Sequence, residues 1–211
     1  LIGMLLAIVI GMIIARAWGK RKTFIIATIL QIITRLAMFL IVPDQPASYI
    51  YIVYFLTGFF SGLANLVMFA MLTDMPDIDE LASGVRREGI YMSLQQLARK
   101  SADGLAVFLA ASLIGTMGYI LPVEEVVDGV NTLVAQPQTD TFISALRILF
   151  VMGPIVFNIL SLLCAFAYKL TPALYEEVKA ILIKRRADQP LTPEEERRAV
   201  ELKNLLVNKN W

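Results

Sequence analysis

Arg99, Lys100 and Asp103 place two cations and an acid at the head of an apolar stretch that continues through Tyr119. Burying an ionised side chain in a bilayer costs on the order of 3 kcal/mol even on forgiving insertion scales, so intramembrane charge points to a lining for a polar solute or ion path. At 100° per residue Asp103 falls about 40° from Arg99 and about 60° from Lys100, so the acid can pair within the helix with either base. Gln95 and Gln96 precede them by one helical turn, and Gln96 and Lys100 share a face. Amides supply paired donors and acceptors and an ammonium supplies three donors, which suits sugar hydroxyls or a carboxylate in a dry cavity. A helix starting near Tyr91 puts Lys100 about 13 Å in from its end. A snorkelling stem is the competing explanation of that position. Five polar or ionised groups within nine residues make a face broader than an interface anchor needs.

Elements able to hold such a helix are written in the composition. Hydrophobic residues make up 57% of the 211, with a mean hydropathy of +0.67, and they are bunched into blocks of spanning length. Unbroken apolar runs exclude the alternating pattern of a barrel. The expected fold is therefore an all-α polytopic membrane protein with spans at about 1–16, 23–42, 49–72, 91–120 and 142–169, forming a bundle over residues 1–170. The first block lacks the basic leader and cleavage site of a signal peptide. It begins without an initiator Met or a polar flank, so the chain is expected to be cut from a longer protein. Gly58, Gly62, Gly104, Gly115 and Gly153 are expected to serve close helix packing.

The charges orient the bundle. The turn 16–22 carries Arg16, Lys20, Arg21 and Lys22, the connection 73–89 carries Arg86 and Arg87, and nine further Lys or Arg follow Tyr168. The connections 43–48 and 122–141 carry none, only Asp44, Glu124, Glu125, Asp128 and Asp140. The positive-inside rule makes the basic set and the C-terminus cytoplasmic, in the cell (inner) membrane. Residues 171–211 form a polar cytoplasmic tail, in which Thr171-Pro172 and Thr192-Pro193 mark two helix starts and Thr192 with Glu195 a capping box. The first tail helix, 173–186, aligns Leu174, Val178, Ile181 and Leu182, a face for packing, for solvent or for anionic lipid.

Several functions are excluded or disfavoured. Net charge is +1, without the basic stripe that nucleic-acid binding needs. There is no histidine, which removes His triads and His metal sites, and the single Cys164 permits no intrachain disulfide. No enzyme activity, metal or cofactor is expected.

From Met71 the chain reads MLTDMPDIDELASGVRREGIYMSLQQLARK. With its Asp74, acidic turn, Arg86-Arg87-Glu88-Gly89 element and the Lys100 that follows, this segment resembles the signature of the glycoside-pentoside-hexuronide:cation symporters, the melibiose-permease-like branch of the major facilitator superfamily. The resemblance extends over nearly the whole chain, and the basic turn 15–22 resembles, in degenerate form, the Gly-basic-basic turn of the superfamily. It implies that the five spans are helices eight to twelve, most of the C-terminal half of a secondary transporter. It implies cation-coupled symport of a sugar, glycoside or sugar acid by alternating access, with the coupling Na⁺ or H⁺ held mainly by the N-terminal half. By resemblance Gln95, Gln96 and Lys100 face substrate, as does Asn65 on helix ten, where an aromatic platform stands in galactoside carriers. The cluster Asp74, Asp77, Asp79, Glu80, Arg86 and Arg87 is read either as a cytoplasmic gate of opposite charges or as a solvated turn. A lysophospholipid carrier of the same superfamily and a non-transporting membrane scaffold are the alternatives.

Overall fold

The computed structural model describes residues 2–41, 46–127 and 130–207. The expected end of the second span at 42, Asp44, Asp128 and the last tail residues 208–211 lie outside these.

The chain divides into two compact units, residues 1–94 with 155–211, and residues 95–154. The first is built on α1 (Ile2–Trp18), α2 (Lys20–Ala37) and α3 (Ala47–Leu72), with α1 and α2 both packed on α3. Ala7, Ala27, Leu63, Ala64 and Val67 form their shared core. Small side chains dominate that core because helix association in lipid depends on close backbone approach rather than on hydrophobic exclusion. Gly62 shows how close. A Cβ there would lie 2.9 Å from Met4 Cα and 3.1 Å from Ala7 Cβ. Gly3 and Gly11 of α1 are equally enclosed, by the Phe55 carbonyl and by Leu63 and Leu66 respectively. Gly58, Gly104, Gly115 and Gly153 meet nothing within 4 Å of a built Cβ, so the packing role expected of the glycines holds at Gly62 alone of the five. Gly62→Val should destabilise the α1–α3 pair by about 1–3 kcal/mol, the usual cost of overpacking, measurable as a shifted denaturation midpoint in detergent.

Beyond α3 the connection read as an acidic turn contains a helix, α4 (Met75–Ser83). Pro76 in its first turn and Gly84 just past its end, at φ +75° with its N–H bonded 2.8 Å to the Glu80 carbonyl, supply the start and stop signals. Nine residues with three acids lack the length and periodicity to announce themselves from sequence.

The tail follows the sequence closely. α7 (Pro172–Arg186) is capped by Thr171, and α8 (Pro193–Leu206) by Thr192 with the expected Glu195 capping box. Of the three fates open to α7, packing is the one observed. Val178, Ile181 and Leu182 join Leu81 of α4 and Ala199 and Leu202 of α8 in a second core.

The second unit contains most of α5 (Glu88–Thr116), a hairpin of β1 (Val123–Val127) with β2 (Val130–Val134), and the first part of α6 (Asp140–Ala167). The hairpin, in a connection read as a loop, pairs Val123 with Val134 and Val127 with Val130. Its alternation is too short to signal a strand within an acidic loop. Gln138 closes the loop by exchanging hydrogen bonds with both backbone groups of Ile120 at 2.9 Å. α6 runs unbroken through Pro154.

Among the described residues, three helical stretches are long and apolar enough to cross a membrane: Lys20–Leu40, Ala47–Ser83 and Asp140–Ala167. α1 is apolar but has 17 residues, about 26 Å. α5 has 29 residues, yet Arg99, Lys100 and Asp103 fall in its apolar part and keep it out of that group. Five spans are thus an expectation of which three meet both length and apolarity.

Candidate functional site

Two groups of sequence-nominated residues behave differently. On α5, Gln96, Arg99, Lys100 and Asp103 are exposed, Gln95 is half-buried, and no residue of the helix is buried. The expected Arg99–Asp103 pair is not formed among the described residues. An exposed i,i+4 pair is worth only a few tenths of a kcal/mol, too little to hold two long side chains together. Asn65 is exposed on α3 and turns its amide to the Ser61 carbonyl at 3.0 Å.

The acidic helix α4 gathers the second group into a network. Asp74 and Asp77 are buried, while Asp79 and Glu80 are half-buried. Asp77 Oδ1 accepts from Arg86 and from Arg186, each at 3.0 Å, and its Oδ2 accepts from the Tyr175 hydroxyl at 2.9 Å. Glu80 accepts from Arg186 Nε at 2.8 Å and lies 3.5 Å from Arg86. Arg87 stands 3.8 Å from Asp79 Oδ2, an ion pair too long for a hydrogen bond, and that oxygen is buried with no donor. Arg86 also pairs with Glu88 at 3.1 Å. All six residues read as a gate or a solvated turn therefore take part in ion pairs, across three segments of the chain.

Five participants were missed from sequence. Lys20, read from sequence as part of the orienting basic turn with no acidic partner named, places its ammonium 2.7 Å from both Asp74 oxygens, 2.9 Å from the Ala70 carbonyl and 5.2 Å from the Tyr175 ring centroid. Only Gly19 breaks the helix in the basic turn, so Lys20 to Lys22 open α2. Cations at a helix N-terminus oppose its dipole, and the Asp74 carboxylate offsets this for Lys20. Tyr175 and Arg186 sit eleven residues apart on α7, about 20° on the wheel and flanking Leu182, so the face read as apolar is ringed by its polar partners. Lys203 of α8 donates to the Ala82 carbonyl at 2.9 Å and Arg185 to the Leu81 carbonyl at 3.3 Å. Both thereby cap the C-terminal carbonyls of α4, where a helix favours cations.

Electrostatics follow the contacts. Burial, reinforced by the hydrogen bond to Asp77, pushes the Tyr175 phenol well above its ordinary value, so it remains a donor. The hydrogen bond to Glu80 raises Arg186 further above its already basic value. On the outer side of the tail, Glu177 and Glu195 are held below the usual carboxylate range by Arg198 and Lys184. Among the described residues there is no group of three carboxylates or thiols arranged to hold a metal ion. The arrangement can act as a charge-pair latch, joining the α1–α2 turn, α4, the start of α5 and the tail.

Comparison with known proteins agrees with this architecture. Residues 1–172 match the family model described as MFS/sugar transport protein. The chain is 25% identical to an uncharacterized symporter of Synechocystis over 82% of its length and 30% of the relative's. It is 27% identical to a glucuronide carrier protein homolog of Escherichia coli over 81% of this chain and 34% of that one. An isoprimeverose transporter of Lactiplantibacillus pentosus is 33% identical over 55% of this chain and 24% of its own. The matches thus span about a third or less of these curated relatives. With a family match over most of its residues and apolar helices of spanning length, this integral membrane protein belongs to the MFS/sugar transport protein family, in agreement with the symporter resemblance of residues 71–100.

Proposed function

We propose that this chain is part of the C-terminal half of a secondary transporter that carries a sugar, glycoside or sugar acid together with Na⁺ or H⁺ by alternating access. The coupling cation is bound mainly by the N-terminal half, and the basic ends and the tail are cytoplasmic, at the cell (inner) membrane. The observation that supports this best is the convergence of Lys20, Arg86 and Arg186 on Asp74, Asp77 and Glu80 at the end of α3 and along α4. Multi-partner pairs of this kind form and break between two packings at small net cost, which is what a gate requires.

Gln95, Gln96 and Lys100 of α5 act as substrate contacts, and Asn65 of α3 is a further substrate-binding residue. No position of this 29-residue helix is buried, which leaves its polar side chains available for such contacts. The names of the relatives suggest probes, a glucuronide and isoprimeverose.

Uptake of these labelled solutes by the full-length protein, with and without a Na⁺ or proton gradient, tests the reading. Lys100→Ala should lower uptake by about 10-fold or more, the effect of losing a charged hydrogen bond. Unchanged uptake in that variant removes Lys100 from the site, and absence of gradient-dependent uptake for every glycoside rejects the symporter.

A further inference from the structure

An opening in the first unit that the ion-pair network does not account for lies where α1 turns into α2, beside the end of α3 and the start of α7, with a volume of about 360 Å³. Three cations of one turn, Arg16, Lys20 and Arg21, line it against two carboxylates, Asp74 and Glu176. Lys20 is neutralised by Asp74, and Arg21 is fixed by the carbonyls of Ala165 and Phe166 at 3.1 and 2.8 Å but keeps its charge. Arg16 is exposed with no partner among the described residues. The opening therefore has one positive charge in excess, with an unpaired guanidinium at its mouth. Tyr168 also lines it, and its hydroxyl is buried without a hydrogen-bond partner. Such a group normally has a partner, and a phosphate oxygen is a suitable one.

The rest of the lining is apolar, with Met12 and Leu66 continuing from the polar mouth along α1 and α3. Trp18, 56% exposed, stands at the same turn. Trp at a helix end marks the headgroup level of a bilayer. A polar mouth with excess positive charge, an apolar slot leading from it and an aromatic at headgroup depth describe the outline of a phospholipid. A monoanionic phosphodiester matches the single excess charge.

We propose that this opening binds one anionic phospholipid of the phosphatidylglycerol type. Its phosphate lies between Arg16 and Arg21, and an acyl chain lies along Met12 and Leu66. The lining of the opening shares no residue with the substrate contacts proposed on α5, and the site requires membrane insertion but not sugar transport. Because Lys20 shares the opening with the Asp74 pair, a bound lipid lies directly against the latch.

Native mass spectrometry of the full-length protein tests this, with equimolar phosphatidylglycerol and phosphatidylcholine of identical acyl chains in the micelle. Wild type should retain phosphatidylglycerol about fivefold over phosphatidylcholine, the preference expected of one basic residue near a headgroup. Arg16→Gln should abolish most of that preference, Arg16→Lys should keep it, and substitution of the exposed Arg197 of α8, Arg197→Gln, should leave it intact. Arg16 is exposed and forms no hydrogen bond or ion pair among the described residues, so its substitution does not endanger folding. Equal retention of the two lipids in wild type overturns the proposal, as does an Arg16→Gln variant that behaves like wild type. Equal loss in Arg197→Gln would show general charge attraction instead of a site. Displacement of the lipid by millimolar inorganic phosphate would make it a small-anion site and overturn it too.

Discussion

Asp77→Asn should speed tryptic cleavage at Lys184, Arg185 and Arg186 by about 30- to 100-fold in the folded, membrane-inserted protein. Asp77 is 8% exposed and receives three donors from two other segments: Arg86, Arg186 and Tyr175. Removing its charge leaves two guanidiniums facing each other across a neutral amide. Breaking a fully buried pair costs about 3–5 kcal/mol, and with the arginine side chains 44% and 41% exposed the expected cost falls to about 2–3 kcal/mol. That cost falls on the docking of α7 against α4, the step that must open before a protease reaches the helical cleavage sites. Glu80 retains part of Arg186, which sets the lower bound. Adding Arg186→Gln to Asp77→Asn should cost much less than the two changes summed, because both remove the same interaction. Additive effects, or a cleavage rate that does not change, would show that the latch does not hold the tail.

Lys20→Met should lower the unfolding free energy by about 2–3 kcal/mol, and the double variant Lys20→Met with Asp74→Asn should recover most of it. The Asp74 residue is 3% exposed and Lys20 is the cation within hydrogen-bonding distance of its oxygens, so deleting Lys20 alone leaves a desolvated carboxylate unpaired. Asparagine keeps the shape and hydrogen-bonding capacity without the charge, and methionine keeps most of the volume of the lysine stem. Denaturant titration of the purified protein in detergent, run on both singles and the double, reads the coupling directly. A double variant as unstable as Lys20→Met would mean that the lysine contributes through packing on Tyr175, whose ring centroid is 5.2 Å from its ammonium, and not through the carboxylate.

The helices and caps of this protein are legible in one dimension. α2, α3 and α6 follow from apolar length, and Thr171 and Thr192 announce α7 and α8, because hydropathy and capping act over a few residues. α4 is hidden, since a nine-residue acidic helix has too few turns to show a period. The Arg99–Asp103 pairing fails for a related reason. Adjacency on a helical wheel permits a contact, and on an exposed face the gain does not exceed the entropy of two mobile side chains. The six acidic and basic residues of 74–87 were nominated from sequence, and each takes part in an ion pair. Lys20, Tyr175, Arg186 and Lys203 were not, because each has a sufficient local explanation in orientation, packing or solubility.

What the amino-acid order determined unaided is class and kind: a helical membrane protein with charges set in an otherwise apolar stretch, a polar capped tail and a symporter-like segment before and into α5. All of these depend on composition and on spacing within one helix or turn. Which charges meet was decided only by the tertiary structure. Lys20 reaches Asp74 across 54 residues, Tyr175 reaches Asp77 across 98 and Arg186 reaches Asp77 across 109. A helical period repeats identically for every surface arginine and carries no information about a partner a hundred residues away. Packing α7 through Val178 and Leu182 onto Leu81 aims Tyr175 and Arg186 at one carboxylate and makes a joint out of charges that the sequence leaves solvated.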